Sequence, residues 1–449
     1  MLAAYDWRYV AIPNVLRPRI QKRFDRLVCE HLSPAHRTAA GLRALPGVAK
    51  AFASSQASWR FYSNPLITLR GIMKPLLAAG REAVASECES FVLVAHDWSH
   101  LRYKHAGKKD RIVSTGKEPT GYGLQAALLM SDRTGAPLAP VNLSLEAADG
   151  VHCTRFGSVR PRESQLDELE PVIKFVEAQR FDKPAVHIID AEADSIWHYR
   201  QWSEKTGRYF LVRADDRKVQ HGDQDCFISE LQQQLKAADA FEPTREVTVR
   251  GEQGRQWIAE RAVTLTRAAR PNRRGDPSRR SIPGRPLTLR LIISEIRNHE
   301  DQVIAVWRLL TNVPSDVPAE QIALWYYWRW NIESYFKLLK SAGQELENWQ
   351  QATAEAVARR LVVASMACVV VWKLARIETP EAEELRNLLI RLSGRQMKRT
   401  KPFTYPALLA GFWVLLAMLD VLEQHDPDDL RRLLEHVLGQ SRAGPNNAS

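Results

Sequence analysis

Two short apolar runs, each leading into an aspartate, constrain this chain more than any other feature. Phe91–Ala95 is followed by the polar stretch His96-Asp97-Trp98-Ser99-His100, and Ala185–Ile189 is followed directly by Asp190. Uninterrupted β-branched and aliphatic runs of this length suit strands buried on both faces, as in the centre of a sheet flanked by helices. Between them, Leu124–Met130 and Pro137–Leu145 flank the turn Ser131-Asp132-Arg133-Thr134-Gly135, a hairpin pattern. Ser164–Arg180 then carries Leu166, Leu169, Val172, Ile173 and Val176 at helical spacing. Asp194–Lys205 is expected as a helix and Tyr209–Val212 as a strand. The order is three strands, helix, strand, helix, strand, and it predicts an α/β fold with a ribonuclease H-like mixed sheet. Asp97 and Asp190 would then lie at strand ends along one sheet edge, where ligands commonly bind.

A lone strand-end aspartate also suits a turn or a helix cap, so a third acidic partner is needed. It is found in the aromatic segment Trp325–Lys340, within a long helix expected over Pro318–Ala342. At about 100° per residue, Tyr326, Arg329, Glu333 and Lys340 fall within a sector of about 60°, with Lys337 beside it. A solvated face with an Arg329–Glu333 pair would also produce this pattern. A phosphate-handling site accounts for more of it: a carboxylate completes a metal site, while Arg, Lys and a Tyr hydroxyl hold phosphate oxygens.

Charge points the same way. The net charge is +11, and residues 1–80 hold twelve Lys/Arg against three acids, a local balance of +9. A concentrated basic segment suits a polyanion through counterion release, although a merely soluble basic surface has the same composition. That segment is expected as short helices, over Val15–Leu32, from Ser33-Pro34, and over Gly47–Phe61. Residues 215–300 are expected as a β-rich insert, with Glu246–Arg250 and Trp257–Thr266 as strands. Eight arginines between Arg267 and Arg290 make that stretch a basic loop. Val303–Leu310 is a further strand. Residues 352–438 are expected to be helical, with a helix start at Thr379-Pro380, and the tail Ser441–Ser449 to be disordered. The five cysteines show no CxxC or CxxH pairing, which argues against a zinc site or a disulfide framework. The longest apolar runs, Leu361–Trp372 and Ala407–Leu419, fall short of the roughly 20 residues of a membrane span.

The spacing Tyr-x2-Arg-x3-Glu-x6-Lys, here Tyr326, Arg329, Glu333 and Lys340, resembles the YREK signature of bacterial insertion-sequence transposases. These are DDE enzymes with a ribonuclease H-like core and a β-insert. Asp97-Trp98-Ser99 with Leu101 and Tyr103 is similar to that family's segment around its first aspartate. Asp190-Ala191-Glu192-Ala193-Asp194 resembles the segment around the second, with Ala191 where relatives often carry arginine. Trp307-Arg308-Leu309-Leu310-Thr311 resembles the segment whose tryptophan stacks on a flipped base, though on sequence grounds alone a strand tryptophan is usually a core residue. Trp59-Arg60-Phe61 with Asn64 resembles the end-binding region, and Lys398-Arg399 the start of the dimerisation region. Asp97 and Asp190 are 93 residues apart and Asp190 and Glu333 are 143 apart, the longer interval containing the β-insert.

The resemblance implies a cut-and-paste DNA transposase with Asp97, Asp190 and Glu333 as catalytic residues holding two Mg²⁺ or Mn²⁺ ions. Carboxylates are the ligands such hard ions prefer. Tyr326, Arg329, Lys337, Lys340 and Trp307 would contact DNA. Glu192 and Asp194 are alternative ligands, or else caps and surface charge of the next helix. The partners implied are double-stranded DNA at terminal inverted repeats, target DNA and a second copy of the chain, without a membrane. Excision would pass through a hairpin, in a cytoplasmic, nucleoid-associated setting. The expected division is an end-binding domain at 1–80, a catalytic domain at 81–350 and a helical dimerisation region at 351–449. A ribonuclease H-like nuclease without strand transfer, or a domesticated DNA-binding protein, is the alternative.

Overall fold

A computed structural model describes residues 12–32, 48–103, 110–113, 120–159, 164–249, 251–269, 281–397, 402–422 and 425–439. The Ser33-Pro34 helix start, Lys398-Arg399, residues 270–280 of the arginine-rich loop and the tail lie outside these residues. The chain divides into two compact units. The first takes residues 1–75, 337–352 and 359–449, and so draws on both ends of the sequence. The second takes residues 76–336 and 353–358.

The first unit is helical. It contains α1 (Pro18–His31), α2 (Val48–Ser63) and α3 (Leu69–Ile72). Proline opens α1, where its missing N–H costs nothing, and Phe24, Leu27 and Val28 form its buried stripe. Within this unit Gln344 ties back to α1, its Oε1 lying 2.6 Å from His31 Nδ1 and its Nε2 donating to the His31 carbonyl at 3.0 Å.

The second unit is built on one 13-stranded sheet. After α4 (Lys74–Glu87) come β1 (Val92–Arg102), β2 (Gly121–Ser131), β3 (Pro137–Ala147), β4 (Gly150–Cys153) and β5 (Gly157–Val159). Helix α5 (Leu169–Ala178), β6 (Ala185–Ile189), α6 (Ile196–Ser203) and β7 (Tyr209–Arg213) follow. Strands β3, β2 and β1 are antiparallel neighbours, and β6 and β7 continue parallel to β1. This 3-2-1 antiparallel set extended by two parallel strands is the ribonuclease H-like order. Helices α5 and α6 cover one face: Val172 and Val176 of α5 pack with Val92, Val94, Ala83 and Val84. Leu169, Ile173, Tyr199 and Trp202 pack with Ile189, Phe210 and Val212.

The remaining strands are β8 (Lys218–His221), β9 (Gln224–Phe227), β10 (Glu242–Val249), β11 (Glu252–Leu265), β12 (Leu287–Arg297) and β13 (Val303–Thr311), with α7 (Ile228–Ala237) before β10. The β-rich insert does not form a separate layer. Strand β13 pairs with β7, and β12 and β11 follow outward in the same sheet. The arginine-rich stretch ends earlier than expected. Arg290 lies in β12, where its guanidinium meets Glu260 at 2.6 Å.

Two expectations about the site's scaffold need correction. Asp97 is not at the end of its strand. The parallel ladder with β6 stops at Ala95–Ile188, but β1 continues to Arg102 because β2 pairs with it throughout, Asp97 opposite Ala126. The long helix is also divided, into α8 (Ala319–Trp328) and α9 (Trp330–Leu339). Arg329 N and Ile332 N donate to the carbonyls three residues back, at 3.1 and 3.0 Å, a tightened 3₁₀-type turn. The hairpin turn between β2 and β3 holds this division in place. The Asp132 carbonyl accepts from Trp325 Nε1 at 3.0 Å and Gln321 Nε2 at 3.1 Å, and the Gly135 carbonyl accepts from Asn331 Nδ2 at 2.8 Å.

The helical ends complete the chain: α10 (Ala354–Arg376), α11 (Pro380–Ser393), α12 (Tyr405–Leu422) and α13 (Pro427–Gly439). Thr379 caps α11 by accepting from Ala382 N at 3.3 Å, as the Thr-Pro start predicts. Among the described residues, no helix is long and apolar enough to cross a membrane.

Candidate acidic site

Alternation sets the site. The Ala95–Ile188 and Ile188–Leu211 pairs fix the register of β1, β6 and β7. Two residues further along, Asp97, Asp190 and Arg213 follow these pairs on the face opposite α5 and α6. Glu333 and Arg329 come from α9 and the turn that precedes it.

Arg329 is the hub. Its side chain is 4% exposed. Its Nη1 meets Asp97 Oδ2 at 3.1 Å and its Nη2 meets Asp190 Oδ2 at 3.2 Å. The same Nη2 lies 3.6 Å from Glu333 Oε1. The other oxygen of each aspartate is anchored elsewhere. Asp97 Oδ1 accepts from Trp98 N at 2.8 Å, and Asp190 Oδ1 accepts from Ala191 N at 2.7 Å and from the Tyr326 hydroxyl at 3.2 Å. Arg213 Nε stands 2.6 Å from Asp190 Oδ1, an ion pair on a half-exposed side chain.

The two aspartates respond in opposite ways. Burial raises the Asp97 carboxyl above its ordinary value of 3.8, against the pull of Arg329 and the Trp98 amide. Burial works on Asp190 too, but Arg329, the Ala191 amide, Arg213 and Tyr326 together hold it below 3.8. Burial pushes up the neighbouring Glu192, and the charges of Asp97 and Asp190 add to that. Glu192 is exposed and accepts from Gln165 Nε2 at 2.6 Å. Asp194 is neither the cap of α6, which is Ser195, nor surface charge. Its side chain is buried and accepts from the Tyr199 hydroxyl at 2.6 Å and Asp215 N at 2.9 Å, while pairing with Arg217.

The structure therefore brings together Asp97, Asp190, Glu333, Arg329 and Tyr326. Trp307 is buried beside them, its ring 5.9 Å from Tyr326 and 6.2 Å from Tyr327. Lys337 and Lys340 belong to the helical unit, where Lys340 pairs with Glu347 at 3.4 Å and Lys337 is exposed. Sequence reasoning missed Arg213. Its signal was the alternation Leu211, Arg213 on a strand parallel to one ending at Asp190, which becomes legible only once the register is known.

Among the described residues, no three His, Cys, Asp or Glu side chains stand close enough to hold a metal ion as they are. The donor chemistry nonetheless suits a hard divalent cation: three carboxylates, from two strands and a helix, each turn one oxygen to the same cationic group.

The family model described as transposase DDE domain matches residues 90–369, more than half of the chain. Among solved structures, a cryo-EM piggyBac transposase synaptic complex with hairpin DNA is similar at 9% identity and a TM-score of 0.36. The match covers 96% of this chain and 76% of that one. No curated protein matches the chain.

Proposed function

Because the chain belongs to the transposase DDE domain family, we propose that it moves an insertion sequence by cut-and-paste, cleaving DNA at terminal inverted repeats and joining the ends to target DNA. The observation that carries this reading is the convergence of Asp97, Asp190 and Glu333 on one cationic position. The family uses divalent metal ions, and in this reading the three carboxylates hold Mg²⁺ or Mn²⁺, two ions per site. Such ions supply charge relief on the phosphate and ease deprotonation of an attacking water or 3′-hydroxyl.

The chain's own residues supply the rest. Trp98 N and Ala191 N fix the outer oxygens of the aspartates, so their inner oxygens point into the site. Tyr326, anchored on Asp190, and Arg329 present a hydroxyl and a planar fork to phosphate oxygens. Lys337 and Lys340 add phosphate contacts, and Trp307 stacks on a displaced base. We read Tyr326, Arg329, Glu333 and Lys340 as the YREK type, with residues 1–80 binding the element's ends, 81–350 catalysing, and 351–449 joining two copies into a homodimer. Excision passes through a hairpin in this reading, and the protein works at the nucleoid.

The test uses Asp97→Asn, Asp190→Asn and Glu333→Gln, with a duplex carrying the inverted repeats that flank the gene. Each variant should retain the gel shift and lose cleavage in Mg²⁺ or Mn²⁺. Wild-type cutting by any one of them removes that residue from the site.

A further inference from the structure

The acidic site already holds a cation, and it belongs to the chain. Asp97 Oδ2, Asp190 Oδ2 and Glu333 Oε1 all face the two terminal nitrogens of Arg329, within 3.1 to 3.6 Å. These are the oxygens that a divalent ion would take, because Oδ1 of both aspartates is committed to backbone amides. A guanidinium cannot be neutralised by losing a proton at any ordinary pH, so it can make way only by moving. Charge counting favours that movement. Four carboxylates, Glu192 included, against Arg329 and Arg213 leave a balance of −2. The two divalent ions of the proposed site, added with nothing moved, would bring it to about +2, with two guanidinium groups close to the metals. Arg329 also has a donor to spare, since its buried Nε has no hydrogen-bond partner. A phosphate oxygen meets a guanidinium fork as well as a carboxylate does.

We propose that Arg329 and the divalent cation compete for one set of carboxylate oxygens, so that metal loads fully only when a DNA phosphate draws Arg329 away. This inference rests on the reading of Asp97, Asp190 and Glu333 as metal ligands. It makes metal binding and DNA binding mutually reinforcing, and such linkage acts equally in both directions. Its consequence is a transposase that holds little metal, and cuts little, until a DNA strand is seated.

The experiment titrates Mn²⁺ into the full-length protein without DNA, followed by electron paramagnetic resonance and calorimetry. Arg329→Gln should bind Mn²⁺ at least about tenfold more tightly than wild type, in the usual range of coupling between sites. The double variant R329Q/D190N should lose that gain. Adding a short duplex oligonucleotide at low salt should tighten Mn²⁺ binding by the wild type and leave Arg329→Gln unaffected. If Arg329→Gln binds no more tightly, while wild-type binding still depends on Asp190, the competition is refuted and the metal-ligand reading stands. If no form binds Mn²⁺, with or without the duplex, both fail. Should Arg329→Gln not fold, Arg329→Lys and the duplex titration of the wild type decide the matter, and wild-type affinity unchanged by duplex overturns the proposal.

Discussion

Gly135 sits in the turn between β2 and β3 with φ +69°, a conformation L side chains seldom adopt. A Cβ there would lie 2.3 Å from both Cγ and Cδ2 of Trp328, the residue before Arg329. The Gly135 carbonyl also holds Asn331, just beyond Arg329. Gly135→Ala therefore carries two costs. The left-handed backbone costs about 1–2 kcal/mol, and overpacking against a rigid indole adds about 1–3 kcal/mol. At roughly 2–4 °C per kcal/mol for a unit of this size, melting should fall by roughly 4–20 °C. The indole must shift, and the turn bearing Arg329 shifts with it. A displacement approaching 1 Å at a reacting centre lowers rate by on the order of 100-fold. Gly207→Ala is the control. Its φ is +81°, but nothing lies within 4 Å of the added Cβ. It should lose only the backbone term and cleave like the wild type below its melting temperature. Differential scanning calorimetry and single-turnover cleavage on both variants provide the comparison. Equal melting losses, or unimpaired cleavage by Gly135→Ala, would refute the claim that this turn positions Arg329.

Arg208 is 4% exposed and binds both Glu170 and Glu177, which without it keep only the exposed Lys174 and Lys205, so Arg208→Ala should cost about 1–3 kcal/mol, read as a lower denaturation midpoint. Burial raises the Glu177 carboxyl, but Arg208 and Lys205 outweigh it and hold it below its ordinary 4.5. Its stabilisation is therefore present above pH 4.5 and lost as pH falls through the depressed value, so Arg208→Ala should show a shallower acid limb than wild type in pH-dependent unfolding. Arg17, Arg19 and Lys22 are exposed on and beside α1, and replacing all three by Gln should lower the log–log salt slope of DNA binding by roughly 2–3. An unchanged slope in a fluorescence-anisotropy titration would mean that this basic segment does not meet DNA.

Elements whose stability is local were legible in the sequence, and those set by partners were not. Strand β6 falls on Ala185–Ile189 as expected because a run buried on both faces carries its own signal. Thr379-Pro380 likewise marked the start of α11 through local capping chemistry. Strand β1 extends past its apolar core only because β2 pairs with it through Arg102, and no periodicity in His96–Arg102 could report that. The division at Arg329 has the same character. The helical wheel placed Tyr326, Arg329 and Glu333 on one face, and Tyr326 and Arg329 do both reach Asp190. The wheel assumed an unbroken helix through Lys340, whereas Gly135 and Asp132 of a distant hairpin supply the hydrogen bonds that fix the break. Those hydrogen bonds connect a turn nearly 200 residues earlier to the placement of the site's central cation. The types of residue in the acidic site could be read along the chain, but their mutual arrangement could not. Arg329 at the centre of the three carboxylates follows from strand register and hairpin contact, and a spacing motif records neither.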